Sequence, residues 1–334
     1  MTNPVLIEVL RGAIVESVHR GAVAVFDADG KPVLEIGDTS KPVFPRSAVK
    51  AIQALPLVET GAADAYGFGS RELALACASH SGEPAHVELA RSMLAKAGLD
   101  ERALECGTHW PSNHEAEIAL ARAGGLPNAL HNNCSGKHSG FLCTCVHSGI
   151  AHGGYVKARH GLQEMVRDAM QSVTGAVHSA DERATDGCSI PTYAVPLKSF
   201  ALGFARMATT SGFGPERAKA AKRLLSACMA EPFFVAGTGR ADVALMEAAP
   251  GRIFAKGGAE GVHCAAIPEL GLGIAIKCDD GAGRAGEAIA AAVLSGLLRA
   301  DEALAAKLLE MANAPIQSRI GAEVGALRPT SALG

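Results

Sequence analysis

Aromatic residues are scarce in this 334-residue chain: phenylalanine, tyrosine and tryptophan together make up 4%, with a single tryptophan. That scarcity argues against an aromatic platform for stacking bases or sugars. Neither sign of charge is in excess. Lysine and arginine number 31 against 34 acidic residues, a formal net charge of -3, so nothing electrostatic favours nucleic acid or an anionic membrane as partner. No apolar run reaches the length of a membrane span, because a glycine, histidine or charge interrupts each one. Met1-Thr2-Asn3-Pro4 lacks a basic region followed by an apolar stretch, and no signal peptide is expected. Nine cysteines, an odd number, are scattered along the chain. They are expected to be free thiols in a reducing, cytoplasmic setting, with a minority acting as ligands or reactive groups.

What is abundant is small and apolar: hydrophobic residues are 48% and glycines number 38. The core is therefore expected to be built from Ala, Leu, Val and Ile, in one large domain or two moderate ones. Short β-branched segments, Val5–Leu10, Ile14–His19, Val23–Asp27 and Val33–Ile36, read as strands, with Asp29-Gly30 as a hairpin turn. Pro45 opens a helical pattern to about Val58, stopped by Gly61. Further helices are expected over Arg71–Ala78, Pro84–Ala97, His114–Ala123, Gly140–His147, His160–Val173, Ala194–Met207 and Pro215–Met229. Strand signals return at Arg252–Ala255, Val262–Ile267 and Leu272–Cys278, and helices follow over Gly283–Arg299 and Asp301–Asn313. Neither strand group is large enough to stand alone. The economical solution is an α+β arrangement: one antiparallel sheet flanked by helices plus a helical lobe, with a ligand cleft between them. The chain is read as a single domain, residues 1–334. Its sheet part covers about 5–45 and 250–330, and its mainly helical lobe about 60–245.

Residues 131–140, His-Asn-Asn-Cys-Ser-Gly-Lys-His-Ser-Gly, concentrate more chemistry than a packed core needs. Such groups are costly to bury unless each finds a partner. With Thr185-Asp186-Gly187-Cys188, they offer thiols and nitrogen donors that could close around zinc. Cys134 and Lys137 have ligand spacing and Cys188 could join them; His131 and His138 are the more orthodox nitrogen donors. The bland alternative is that the cysteines are core residues. Ser47-Ala48-Val49-Lys50 puts a serine and a lysine three apart on one helix face, where a desolvated amine could activate the hydroxyl. Lys256, in Ala255-Lys256-Gly257-Gly258, ends a late strand beside glycines that let a ligand approach. Its bland reading is a solvated hairpin lysine. Ser79, in Ser79-His80-Ser81-Gly82-Glu83, serves equally as a helix cap. Asp186 is either a turn cap at Gly187 or an orienting carboxylate.

These motifs occur in a fixed order. Arg46-Ser47-Ala48-Val49-Lys50 and Ser79-His80-Ser81-Gly82-Glu83 are followed by Cys106-Gly107-Thr108-His109-Trp110-Pro111 and Asn132-Asn133-Cys134-Ser135-Gly136-Lys137-His138. Asp186-Gly187-Cys188, Ala236-Gly237-Thr238-Gly239-Arg240 and Lys256-Gly257-Gly258-Ala259-Glu260-Gly261 complete the series. The combination resembles the rhizobial-type L-asparaginases, the asparaginase II family, over about residues 5 to 325. The resemblance implies a fold like serine β-lactamases and glutaminases, a homodimer, and hydrolysis of L-asparagine to L-aspartate and ammonia. It implies two Ser-Lys pairs, Ser47 with Lys50 and Ser79 with Lys256; of the two serines, Ser47 is expected to be the nucleophile. It also implies a zinc ion held by Cys134, Lys137 and Cys188 that assists substrate binding. Arg46, His80, Asn133, Asp186 and Gly257 would form the substrate site. Two rivals stand beside this reading: a penicillin-binding or β-lactamase-type hydrolase, and a zinc-dependent amino-acid sensor on the same scaffold. A missing Ser-x-Asn motif counts against the first. Ammonia release on turnover would exclude the second.

Overall fold

The structure is a computed structural model describing residues 2–333. Strands β1 (Val5–Arg11), β2 (Ile14–Asp27) and β3 (Pro32–Ile36) open the chain, and a two-residue β4 (Pro42–Val43) follows. Helices then dominate as far as Ala248. They are interrupted by β5 (Arg183–Thr185) and β6 (Pro191–Tyr193), which pair with each other, and by β7 (Val195–Pro196), which pairs with β4. β8 (Phe254–Gly257), β9 (Val262–Ile267) and β10 (Leu272–Cys278) come next. Two helices, Gly283–Leu297 and Glu302–Ala312, separate them from β11 (Pro315–Gln317) and β12 (Glu323–Pro329).

The two strand groups join in one antiparallel sheet, as the sequence leads one to expect. Its order is β11-β12-β1-β2-β10-β9-β8, with β3 beside β2. β2 is the splice. Its first half pairs with β1 and its second half with β10, Val25 lying opposite Ile274 and Ala24 opposite Ala275. Two strands were expected over this span; the backbone instead runs through Gly21 without turning, because β1 and β10 continue one another as partners. β10, between β2 and β9, is apolar along nearly its whole length because both of its faces are covered. Helix Leu197–Thr209 packs on β2, β9 and β10, and helix Gly283–Leu297 packs on β8, β9, β10 and the C-terminal strand β12.

Three local departures matter for the site. The segment from Pro45 to Val58 is no single helix. A 3₁₀ turn, Arg46–Val49, is followed by the short pieces Lys50–Gln53 and Leu55–Glu59. Arg46 is left-handed (φ 51°), and Pro56 removes a donor needed to continue the first piece. The helix expected from Gly140 begins at Ser135, so Lys137 and His138 lie on it, and its first eleven residues are buried on every side. That burial is what a helix through the middle of a lobe must accept. Finally, β11 and β12 were not anticipated as strands; they bring the C-terminus back to pair with β1.

The approach of helix Leu197–Thr209 to β10 depends on Gly273. A side chain there would fall on the Ala201 carbonyl and the Ala205 nitrogen. Gly273→Ala is expected to cost about 3 kcal/mol of stability through overpacking against backbone. Gly296→Ala, at an exposed helical position with open space around it, is expected to gain about 0.5 kcal/mol. Urea unfolding of both variants checks the contrast. Equal effects would mean that the helix is free to move off the sheet.

Candidate active site

Four chain segments converge at the edge of the sheet: the 3₁₀ turn Arg46–Val49, the residues after helix Ser70–Ala76, the loop before helix Ser135–His147, and the end of β8. Between them lies a cavity of about 280 Å³ whose wall includes Ser47, Ser79, His80, His109, Asn133, Gly257 and Gly258. Gly258 explains the Lys-Gly-Gly sequence. A Cβ there would sit 2.9 Å from the Pro45 carbonyl and 3.0 Å from the Ala48 nitrogen, so only glycine lets β8 close against the turn carrying Ser47.

Lys50 has no exposed surface. Its Nζ donates to the Ala78 carbonyl at 2.6 Å, to Ser79 Oγ at 2.8 Å and to Cys134 Sγ at 3.0 Å. Burial pushes this amine below the usual lysine range, and nearby Lys137 and Lys256 add to the effect while Cys134 opposes it. The expected pairing of lysines and serines is therefore corrected: Lys50 engages Ser79, and no hydrogen bond joins it to Ser47. The Lys50 amine is drawn away from its own turn because the Ala78 carbonyl, Ser79 hydroxyl and Cys134 sulfur together satisfy it in a site with no exposed surface. Lys256 does not reach Ser79. It lies fully buried, 3.2 Å from Asp242 Oδ2 and 2.9 Å from the Gly257 carbonyl. A buried ammonium needs an anion, and helix Ala241–Ala248 supplies one.

Asp242 itself is held by more than the lysine. Its carboxylate accepts from the Gly257 N–H at 2.8 Å, and His263 Nε2 lies 3.8 Å away. Burial alone would raise its carboxyl, but Lys256, His263, Arg240 and that N–H prevail and hold it below the usual range. Sequence reading passed over Asp242. The available signal was a lone charge in the otherwise apolar stretch Ala241–Met246, two residues beyond Arg240.

His80 is buried and neutral. Its Nδ1 accepts from the Gly82 N–H at 3.1 Å and its Nε2 donates to Ser135 Oγ at 2.9 Å, which in turn donates to the Leu130 carbonyl. Burial drives its basicity well down, and His86 and Lys50 reinforce this. Both ring nitrogens are thus occupied in fixing the loop behind Ser79. His109 plays a matching part: its Nε2 accepts from the Asn133 N–H at 2.9 Å.

Arg46 and Asp186 pair with each other, Nε to Oδ1 at 2.6 Å, and neither lines the cavity. Cys134, Lys137 and Cys188 lie close together but also behind the cavity wall, all buried, with Lys137 Nζ 3.1 Å from Cys188 Sγ. The Cys188 thiol donating to it, with two lysines nearby, holds the Cys134 thiol well below its usual range despite burial. The same bond and burial push the Cys188 thiol up. Two sulfurs and an amine in one buried cluster form a donor set suited to zinc. A separate group, His19, Cys278 and Asp280, brings its donor atoms within 4.8 Å of one another. There His19 Nδ1 is 2.6 Å from Asp280 Oδ2, and Cys278 Sγ is 2.9 Å from Asp280 Oδ1.

Residues 7–329 match the family described as L-asparaginase II. The chain belongs to the L-asparaginase II family. The likeness carried by the seven ordered motifs thus extends over nearly the whole sequence, and membership supports an asparaginase-type amidohydrolase. No curated protein matches the chain. Two solved structures are similar at low identity. One is a β-lactamase from Mycobacterium bovis, with a TM-score of 0.38 and 14% identity, covering 78% of this chain and 88% of that one. The other is a candidate β-lactamase from Bacteroides dorei, with a TM-score of 0.40 and 13% identity, covering 77% and 84%. Among the described residues of this asparaginase II chain, no helix is long and apolar enough to cross a membrane, and all nine cysteines are free.

Asp242→Asn tests the buried pair beneath the cavity. Removing one partner strands the Lys256 ammonium, at an expected cost of about 3 kcal/mol near pH 7. Because the folded carboxyl is held below its unfolded value of about 3.9, its contribution is fully present above that pH and declines as pH falls through the folded value. The stability gap between wild type and variant should therefore narrow as pH falls below about 4. Urea unfolding at several pH values checks this, and a gap that stays constant would remove Asp242 as the counter-ion.

Proposed function

We propose that this chain is an L-asparaginase that hydrolyses the side-chain amide of L-asparagine through a serine ester. The observation that carries the reading is the 2.8 Å contact between the buried Lys50 amine and Ser79 Oγ, on a cavity wall shared with Ser47. Ser47 is the more open of the two hydroxyls and makes no hydrogen bond to Lys50. Ser79 is 7% exposed and already committed to the amine.

Ser47 Oγ is the nucleophile and attacks the amide carbon. Its proton passes to Ser79 Oγ as the Ser79 proton passes to Lys50 Nζ; in the neutral amine, which burial favours, the 2.8 Å contact has the Ser79 O–H donating to the nitrogen lone pair. The same route run backward protonates the departing nitrogen, so ammonia leaves and a β-aspartyl ester remains on Ser47. Water, deprotonated along that relay, cleaves the ester and restores the serine. Lys256 keeps its charge beside Asp242 and supports the cavity floor electrostatically. Asn133 and Gly257 present polar groups to the substrate, and the Arg46–Asp186 pair braces the turn that carries Ser47.

Cys134, Lys137 and Cys188 would hold zinc. When bound, it would supply a positive charge that keeps two thiolates and a neutral amine together, one contact from Lys50. A homodimer and a cytoplasmic setting belong to the same reading. Light scattering of the purified protein tests the first.

Ser47→Ala should lower asparagine-dependent ammonia release by at least about a thousandfold with the fold intact. Ser79→Ala should leave a slow, trappable ester on Ser47. Mass spectrometry after acid quench, of the wild type and of Ser79→Ala, locates the ester; finding it on Ser79 in the wild type would reverse the two roles, and finding no ammonia from the wild type would end the asparaginase reading. For the metal, protein purified without chelator should contain about one zinc per chain by elemental analysis, and Cys188→Ala should contain far less. That variant should raise KM for asparagine while retaining a measurable kcat. Full loss of turnover at saturating substrate, in a folded variant, would place the metal in the chemical step instead.

A further inference from the structure

The catalytic cavity shares a wall with a second, larger one of about 440 Å³. The second cavity is mostly apolar, lined among others by Val243, Leu245, Ala288 and Met311. Arg240 and Glu287 border both. They differ from every other charged group near the site. Lys256 has Asp242, Arg46 has Asp186, Lys50 has Ser79 and Cys134, and Lys137 has Cys188. Among the described residues, the Arg240 guanidinium and the Glu287 carboxylate have no hydrogen bond and no ion pair, although both are half-buried. Two opposite charges, left without hydrogen-bonded partners on the wall of a small cavity, fit an occupant that carries both an anion and a cation.

The loop bearing Arg240 is held in place. Glu83 accepts from Ser81 Oγ at 2.6 Å, from the Thr238 N–H at 2.8 Å and from Thr238 Oγ1 at 2.8 Å. The Ser-His-Ser-Gly-Glu motif thereby clamps the Gly-Thr-Gly-Arg motif, fixing a guanidinium that makes no hydrogen bond or ion pair of its own. Glu287 stands on helix Gly283–Leu297 and lines the same cavity as Ser47 and Ser79. Burial and neighbouring Asp242 raise its carboxyl while Arg240 opposes them. An incoming ammonium would relieve that strain.

We propose that Arg240 receives the α-carboxylate and Glu287 the α-ammonium of an α-amino acid whose side-chain amide faces the two serines. This rests on the asparaginase reading above and assigns its substrate recognition to a wall distinct from Arg46 and Asp186, whose charges cancel each other off the cavity. It limits substrates to zwitterionic amino-acid amides.

The test crosses variants with truncated substrates in the full-length protein. Charge-assisted hydrogen bonds of this kind are worth roughly ten- to a hundredfold in binding. Arg240→Gln should raise KM for L-asparagine by about thirtyfold and change kcat less than about threefold. It should leave kcat/KM unchanged for β-alaninamide, which lacks the carboxylate. Glu287→Gln should do the same for L-asparagine and spare succinamate, which lacks the amine. Arg240→Lys should recover part of the loss. A variant that slows all three substrates alike, or leaves KM for asparagine unchanged, overturns the assignment. If the wild type releases no ammonia at all, the asparaginase reading has failed on its own, and calorimetry with L-aspartate decides the wall. Binding weakened about tenfold or more in each variant would support it, while unchanged Kd or no binding to the wild type would overturn it.

Discussion

A lysine amine with no exposed surface cannot stay where it is unless something in the fold receives it. Lys50 is received by three groups from two other segments: the Ala78 carbonyl and Ser79 hydroxyl after helix Ser70–Ala76, and the Cys134 sulfur before helix Ser135–His147. Those contacts tie the 3₁₀ turn to the helical lobe at a single atom. Moving any of the three would leave a buried donor unsatisfied, at a cost comparable to a substantial part of a domain's net stability. The position of Ser79, the start of the helix bearing Lys137, and the depth of the cavity all follow from where that amine can be satisfied.

The second buried lysine shows the same physics with a different outcome. Lys256 is equally hidden, but a carboxylate meets it, so its charge is compensated by an ion pair. Lys50 has a hydroxyl, a carbonyl and a sulfur, and burial pushes its amine down. One site thus holds two buried lysines in different settings: one beside a carboxylate, the other without one. Divergent environments for two like groups are how a single fold assigns acid–base roles.

The chemistry-bearing residues stood out in the sequence because polar groups at such density are costly to bury unless partnered, and the structure does bury most of them; the antiparallel sheet followed from two strand groups too small to stand apart. What the sequence concealed was pairing. The spacing of Ser47 and Lys50 suggests a contact, but the Lys50 amine is taken by Ala78, Ser79 and Cys134, all distant from it in sequence. The partner of Lys256 is Asp242, fourteen positions away on another element, and nothing in the order of residues says that β8 and helix Ala241–Ala248 meet there. β11 and β12 were missed for a related reason. They are short, half-exposed and polar in places, so their strand character comes from pairing with β1 and with each other and not from an apolar alternation of their own.

Charge pairing also decides which residues can recognise a ligand. A guanidinium closed onto a carboxylate at 2.6 Å, as in Arg46 and Asp186, must lose that bond before it can serve a substrate, so the pair works best as a brace for the turn between them and the lobe. Arg240 and Glu287 have nothing to lose. Their loop and helix are fixed by other groups, Glu83 foremost, and that arrangement removes the ordering cost from the binding event itself. The site therefore separates its rigid charges from its available ones. Compensated pairs hold the walls, and uncompensated charges face the cavity, where only a molecule carrying the opposite charges can complete them.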